Sequence, residues 1–320
     1  MGVGLTSAAV PLLPVPWCHD DFSPAELAEA KAAAGVVVSV CLPALDEEAT
    51  VGHIVATVRR TLMEEVALVD EVLVLDDGST DATAAVASWE GARVVSAQDV
   101  LPEAGPGSGK GNAMWKSLDA AAGDVVCWLD ADIRNFGAHF VTGLLGPLLT
   151  QPDIAFVKGF YQRPLHDQPH GGGRVTELMA RPLISTLFPQ LARFVQPLSG
   201  EYAGRRDVLE TLPFVEGWGV ELALLIDIVE RYGLASTAQV NLGVREHRNR
   251  SLAELGPQAT AILVTALRRA GLVSDRPGPA ELLRYTEDFE PEAIAVEVRE
   301  RQPIETIPAY RRKHGRELTA

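Results

Sequence analysis

The sequence predicts an α/β protein built on a doubly wound, mostly parallel sheet. Three observations carry that expectation. From Val36 to Lys158, strand-like apolar runs alternate with helix-length segments, the order produced by parallel strands joined through crossover helices. Three of those runs end abruptly in acidic or turn-forming residues. The first run opens into Pro43-Ala44-Leu45, without the Gly-x-Gly-x-x-Gly of a nicotinamide-binding sheet, which argues against a dehydrogenase.

In chain order, residues 1–35 read as a proline-spaced arm and a short helix, Ser23 to Ala34, capped by Ser23 with Pro24 at its first position. The arm lacks the basic leader of a signal peptide and carries Pro11, Pro14 and Pro16, although Met1 to Thr6 fit the loose myristoylation pattern. Strands are expected near 36–42, 70–75, 92–96, 124–129 and 153–158, making 36–158 the first α/β part. Beyond Lys158, a loop with Pro164, Pro169 and Gly171-Gly172-Gly173 leads into helical stretches near 174–187, 205–212 and 219–232. A strand from Thr237 to Gly243 and a helix from about Ser251 to Ala270 complete a second part, 159–270, of the same domain. The tail, 271–320, is charged and proline-spaced. It is expected to pack on the body or on a partner chain, in a homodimer.

Composition narrows the class. Across 320 residues, 47% apolar and 22% charged content is ordinary for a soluble globular chain. A net charge of -15 argues against a nucleic-acid partner, which would meet a basic face. It also requires that any anionic substrate be captured by a local cationic pocket. No long uncharged apolar stretch suggests a membrane span. Cys18, Cys41 and Cys127 are odd in number and widely spaced, with two inside strand runs, so buried reduced thiols are expected. A cytoplasmic setting without a membrane partner follows.

Five segments carry chemistry. Val125 to Leu129 ends in Asp130-Ala131-Asp132, two hard anionic ligands at a strand's carboxyl end, where open α/β sheets bind ligands. They suit a divalent cation on a diphosphate, or, more plainly, a solvated strand end. Asp76-Asp77-Gly78-Ser79-Thr80-Asp81 serves either as a turn with a helix cap or as a carboxylate aimed at a base or ribose. Ser108-Gly109-Lys110-Gly111-Asn112 and Gly171 to Glu177 each bring glycines to a helix start, where backbone amides and a Lys110 or Arg174 charge can meet phosphate. Arg245 to Arg250 concentrates cations, with His247 available as a metal ligand.

These segments resemble the nucleotide-binding half of a GT-A fold glycosyltransferase. With Ala180 to Leu183, Gln196 to Tyr202, Gly219-Val220-Glu221 and Gln239 to Arg250, the chain resembles the retaining hexosyl-3-phosphoglycerate synthases over roughly residues 36–265. The resemblance implies that Asp132 and His247 hold Mg2+ or Mn2+ on the sugar-nucleotide diphosphate, with Asp130 at the ribose or the metal's outer shell. It places Pro43, Ala44, Leu45, Glu47, Asp77 and Ala131 around the nucleotide, and Lys110 and Arg245 at donor phosphates or sugar. Trp218 and Glu221 fall to the sugar, and Gly173, Arg174, Thr176 and Asn249 to the acceptor, 3-phosphoglycerate. Asp132, Glu221, Arg245 and the Leu198 carbonyl form the expected catalytic set, acting through a front-face attack by the acceptor's 2-hydroxyl.

UDP-glucose is the favoured donor, with GDP-glucose and GDP-mannose open, because Asp77, Ala131 and Trp218 stand where relatives often carry serine, serine and tyrosine. A sugar-phosphate nucleotidylyltransferase should show a glycine-rich, basic loop after the first strand, which Pro43 to Glu48 lacks. A non-catalytic nucleotide-sugar binding module has no need of Asp130, Asp132, His247 and Lys110 together.

Overall fold

The structure, a computed structural model, describes residues 16–164, 172–246, 251–273 and 278–315. The arm up to residue 15, Gly171 and the segment from His247 to Arg250 lie outside the described residues. The strands are β1 (Trp17–Cys18), β2 (Val38–Ala44), β3 (Glu71–Asp76), β4 (Arg93–Ser96), β5 (Val125–Trp128), β6 (Phe156–Gln162), β7 (Tyr202–Arg205), β8 (Phe214–Val215), β9 (Thr237–Val244), β10 (Ala280–Tyr285), β11 (Pro291–Val296) and β12 (Glu300–Arg301). Eight of them form one sheet in the order β1–β9–β6–β7–β5–β2–β3–β4.

The largely apolar run of β2 pairs in parallel with β3 on one side and β5 on the other, and its residues are nearly all buried. Helices cover both faces, as a doubly wound sheet requires. One face packs Trp115, Trp128, Tyr202, Phe214 and Ile226 into a core. The other packs Leu27, Val40, Ile54, Phe140 and Val240. Helix boundaries follow local chemistry. Pro24–Ala34 starts on proline after Ser23 and stops at Gly35, whose φ of 65° few other residues adopt. Leu252–Arg269 starts on a capping box formed by Ser251 and Glu254.

Two expectations need correction. The stretch 205–212 was expected to be helical, but only Arg206–Leu209 is. Tyr202–Arg205 instead forms β7, the one strand of the eight-stranded sheet antiparallel to its neighbours, bonded to β5 and β6. The strand placed at 153–158 runs from Phe156 to Gln162, because it continues its ladder with β9. The tail packs on the body, one of the two placements expected for it. Its β10–β11 hairpin lays Leu282, Ile294 and Val296 beside Ala261 and Val215, while Ile304 and Tyr310 enter the main core. Cys41 and Cys127 are buried free thiols, as expected, and Cys18 is half-buried. Among the described residues, no helix is long and apolar enough to cross a membrane.

Candidate active site

Ligands bind open α/β sheets where the strand order reverses, outside the carboxyl ends of the strands. Here that place lies beside β2, with β3 and β4 on one side and β5 on the other. A cleft of about 420 Å³ occupies it. Pro43, Ala44, Leu45, Glu47, Asp77, Lys110, Asp130, Ala131, Asp132, Gly173, Arg174, Thr176, Leu198, Trp218, Glu221 and Arg245 all line this one cleft. His247 and Asn249 lie outside the described residues.

The loops after β2 and β3 are fastened to each other. Asp46 accepts from the Thr80 amide at 2.7 Å, and the Ala82 amide donates to Glu48 at 2.8 Å. Asp76 accepts from the Ser79 amide at 3.1 Å, and Asp81 from the Thr83 amide at 2.9 Å. Turn and cap thus account for most of Asp76 to Asp81. Asp77 alone of its carboxylates lines the cleft, where it accepts from the Gly109 amide at 2.6 Å. Burial pushes the Asp77 carboxyl up despite that bond. The Asp130 to Asp132 turn is held by Thr50, whose hydroxyl donates to the Ala131 carbonyl at 2.6 Å.

An ion network fills the floor. Lys110 pairs with Asp130 and, at 2.8 Å, with Glu221. Arg245 reaches Asp130 at 2.8 Å and Asp132 at 2.6 Å through Nη2, while its Nε approaches Glu201 at 2.9 Å. That last contact is an ion pair off the hydrogen-bond direction, so neither atom has a full hydrogen bond. The Arg245 guanidinium supplies the counter-charge that two acidic side chains at the end of β5 and a fully buried Glu201 need, while still lining the cleft. Burial works against the Asp130 charge, but Lys110 and Arg245 outweigh it and hold that carboxyl well below the usual range. Burial also opposes charge on Lys110, yet Asp130 and Glu221 keep its ammonium firmly protonated.

The model of glycosyl transferase family 2 matches residues 39–210. This chain belongs to glycosyl transferase family 2. The chain is 46% identical to a glucosyl-3-phosphoglycerate synthase of Mycolicibacterium smegmatis, over 91% of its own length and 96% of the relative's. A solved glucosyl-3-phosphoglycerate synthase of Mycobacterium tuberculosis, in complex with Mn2+, UDP-glucose and phosphoglyceric acid, matches with a TM-score of 0.82 at 44% identity, covering 92% of this chain and 99% of that one. A second structure from that organism, with Mg2+ and UDP, gives the same TM-score, identity and coverage. The GT-A fold follows from these matches.

In this family 2 chain the donor set fits Mg2+ or Mn2+. The cleft offers hard carboxylate oxygens, and the second oxygen of Asp132 has no partner among the described residues. Of the two glycine-rich segments, the one after residue 170 is less open than expected. The Gly172 amide donates to the Arg163 carbonyl at 3.0 Å, so it is not available to an anion. Gly173, at a φ of 75°, turns the chain into the helix that starts at Arg174, a conformation suited to glycine.

Sequence reasoning missed several residues here. Arg163 lines the cleft and donates to the Tyr161 hydroxyl at 2.7 Å. Tyr161 donates in turn to Glu201. Gly200 leaves the room that Asp130 fills, since a Cβ there would lie 2.2 Å from its carboxylate. Arg163 and Tyr161 sit in no recognisable motif. The only signal was that Gly200-Glu201 falls inside the segment Gln196 to Tyr202.

Lys158 is a further buried cation, donating to the Ser199 carbonyl at 2.9 Å and lying 4.3 Å from the Tyr202 ring centroid. Burial lowers its pKa to about 7, with Glu221 opposing and Lys110 reinforcing the shift. A folded value below the unfolded one means that the unfolded chain binds more protons between about pH 7 and the ordinary lysine range. Stability from this residue is therefore present at high pH and lost as pH falls toward 7. Melting temperatures measured from pH 7 to 10 should rise more steeply with pH in the wild type than in Lys158→Met. Parallel curves would show that Lys158 does not release its proton on folding.

Proposed function

We propose that the protein is a retaining, metal-dependent glucosyltransferase that moves glucose from UDP-glucose to the 2-hydroxyl of 3-phosphoglycerate, giving glucosyl-3-phosphoglycerate. One observation carries the reading. The strand-end loops that suit a nucleotide and the Gly173-Arg174-Val175-Thr176 helix start line a single cleft, so donor and anionic acceptor can meet over Asp130 and Asp132. Relatives that bear this activity match almost the whole chain.

A bound Mg2+ or Mn2+ supplies Lewis-acid stabilisation of the departing diphosphate, and Asp132 with His247 would hold it. Lys110 keeps a protonated amine between Asp130 and Glu221, close to where donor phosphate charge develops. Glu221, buried and anchored by Lys110, is placed to orient sugar hydroxyls. Trp218, exposed at the cleft, offers the sugar an apolar face. Arg174 and Thr176 take the acceptor phosphate.

Retention through a covalent intermediate would need a carboxylate free to attack. Asp130, Asp132 and Glu221 are each engaged by Lys110 or Arg245, which favours attack on the face the leaving group departs from. The acceptor's 2-hydroxyl then bonds to the anomeric carbon as its C–O bond to the diphosphate breaks. The hydroxyl proton passes to the departing phosphate oxygen, with the Leu198 carbonyl beside the acceptor. A homodimer and a cytoplasmic setting complete the reading.

The test is an incubation with Mg2+ or Mn2+, 3-phosphoglycerate and a panel of sugar nucleotides. UDP release with an α-linked product by NMR is the expected result. Faster turnover of GDP-mannose would reassign the hexose, and pyrophosphate release would point to nucleotidyl transfer instead.

A further inference from the structure

The loop that carries Lys110 into the cleft is held from behind by the C-terminal tail. Strand β12 pairs with β8 and brings Arg301 beneath residues 104–112. Arg301, 8% exposed, donates to the Ala104 carbonyl at 2.7 Å, the Gly105 carbonyl at 3.3 Å and Asn112 Oδ1 at 3.1 Å. It pairs with Glu216 at 2.7 Å, and its guanidinium lies 5.3 Å from the Trp115 ring centroid. The Glu216 backbone closes the arrangement. Its carbonyl accepts from the Asn112 amide at 2.9 Å, and its amide donates to the Arg299 carbonyl at 3.0 Å.

Two donor-site elements therefore share one anchor. The loop leading to Lys110 lies on one side, and the Glu216-Gly217-Trp218 turn, which precedes Glu221, lies on the other. The packing tolerates no added volume. A Cβ on Gly107 would lie 1.9 Å from Arg301 Nη2, and one on Gly111 would lie 1.8 Å from the Val215 carbonyl. From the front, Asp77 holds the same loop through the Gly109 amide.

We infer that Arg301 is a positioning residue for donor binding, making the tail a working part of the donor site. The guanidinium touches no atom of the cleft lining that would meet substrate. It acts by fixing where Lys110 and Trp218 stand. Its fork satisfies two carbonyls, an amide oxygen and a carboxylate at once, which an ammonium cannot do in the same plane. The inference rests on the glucosyl-transfer reading for its kinetic arm only.

The experiment uses the full chain with Arg301→Met, Arg301→Lys and Gly107→Ala. Hydrogen exchange without substrate should show residues 104–112 exchanging faster in Arg301→Met while β2 and β5 stay protected. In kinetics, kcat/KM for UDP-glucose should fall about tenfold, a loss of positioning, with the KM for 3-phosphoglycerate unchanged. Arg301→Lys should recover part of the loss, and Gly107→Ala should reproduce it with Arg301 intact.

Unchanged exchange in this loop, or unchanged use of UDP-glucose in a folded Arg301→Met, overturns the inference. So does an equal loss toward donor and acceptor, the mark of general loosening. If Arg301→Met does not fold, normal donor kinetics in both other variants overturns it. Wild-type turnover separately tests the glucosyl-transfer reading, which the exchange comparison does not require.

Discussion

Asp132→Ala is expected to abolish turnover, a loss on the order of a thousandfold or more, since a metal's stabilisation of the leaving group contributes several kcal/mol. The fold should survive. Asp132 sits at the open end of β5, its side chain 22% exposed, and Arg245 keeps Asp130 and Glu201 as partners when Asp132 is gone. Asp132→Asn separates charge from shape, because it preserves the Arg245 neighbour but weakens cation binding. Wild-type turnover should vanish with EDTA and return with Mg2+ or Mn2+. Steady-state rates with and without chelator provide the check, and chelator-resistant turnover at the wild-type rate would remove the metal from the mechanism.

Arg174→Ala should raise the KM for 3-phosphoglycerate by roughly tenfold to a hundredfold, the equivalent of one charge-assisted hydrogen bond of about 1.5–3 kcal/mol. Use of UDP-glucose should be spared. A substrate carrying both phosphate and carboxylate approaches a chain of net charge -15, so concentrated local donors decide its affinity. With the Gly172 amide committed to Arg163, a phosphate bound at this helix start would depend more on the arginine fork and the Thr176 hydroxyl than the glycine run alone suggests. Arg174→Lys should rescue in part. Glycerate lacking its phosphate should be a very poor acceptor that barely distinguishes wild type from mutant. Normal use of 3-phosphoglycerate by Arg174→Ala would place the acceptor elsewhere.

Much of this architecture was legible because the sheet is buried on both faces, so its strands read as unbroken apolar runs such as Val72 to Leu75. Their acidic ends announced the cleft. β7 escaped because Tyr202-Ala203-Gly204-Arg205 has no such run, and only its ladders on both sides make it a strand. The tail escaped for a similar reason. The first strand of its hairpin alternates half-buried and exposed residues, a pattern that its charges and prolines obscure.

In the site, contiguous motifs were readable and partners distant in sequence were not. Glu201 lies 44 residues before Arg245, and no spacing rule joins them. Residue type marks Arg245 as a partner for anions, but only the fold reveals that Asp130, Asp132 and Glu201 are among them.

β7 has one more consequence. Hydrogen-bonded to β5 on one side and β6 on the other, it welds β2 and β5 to β6 and β9 within a single ladder system. The same weld ties the halves together in melting: their ladders are shared, so neither can unravel while the other stays intact. Heat should dissolve both as one cooperative unit, leaving no stage at which a nucleotide pocket outlives its acceptor clamp.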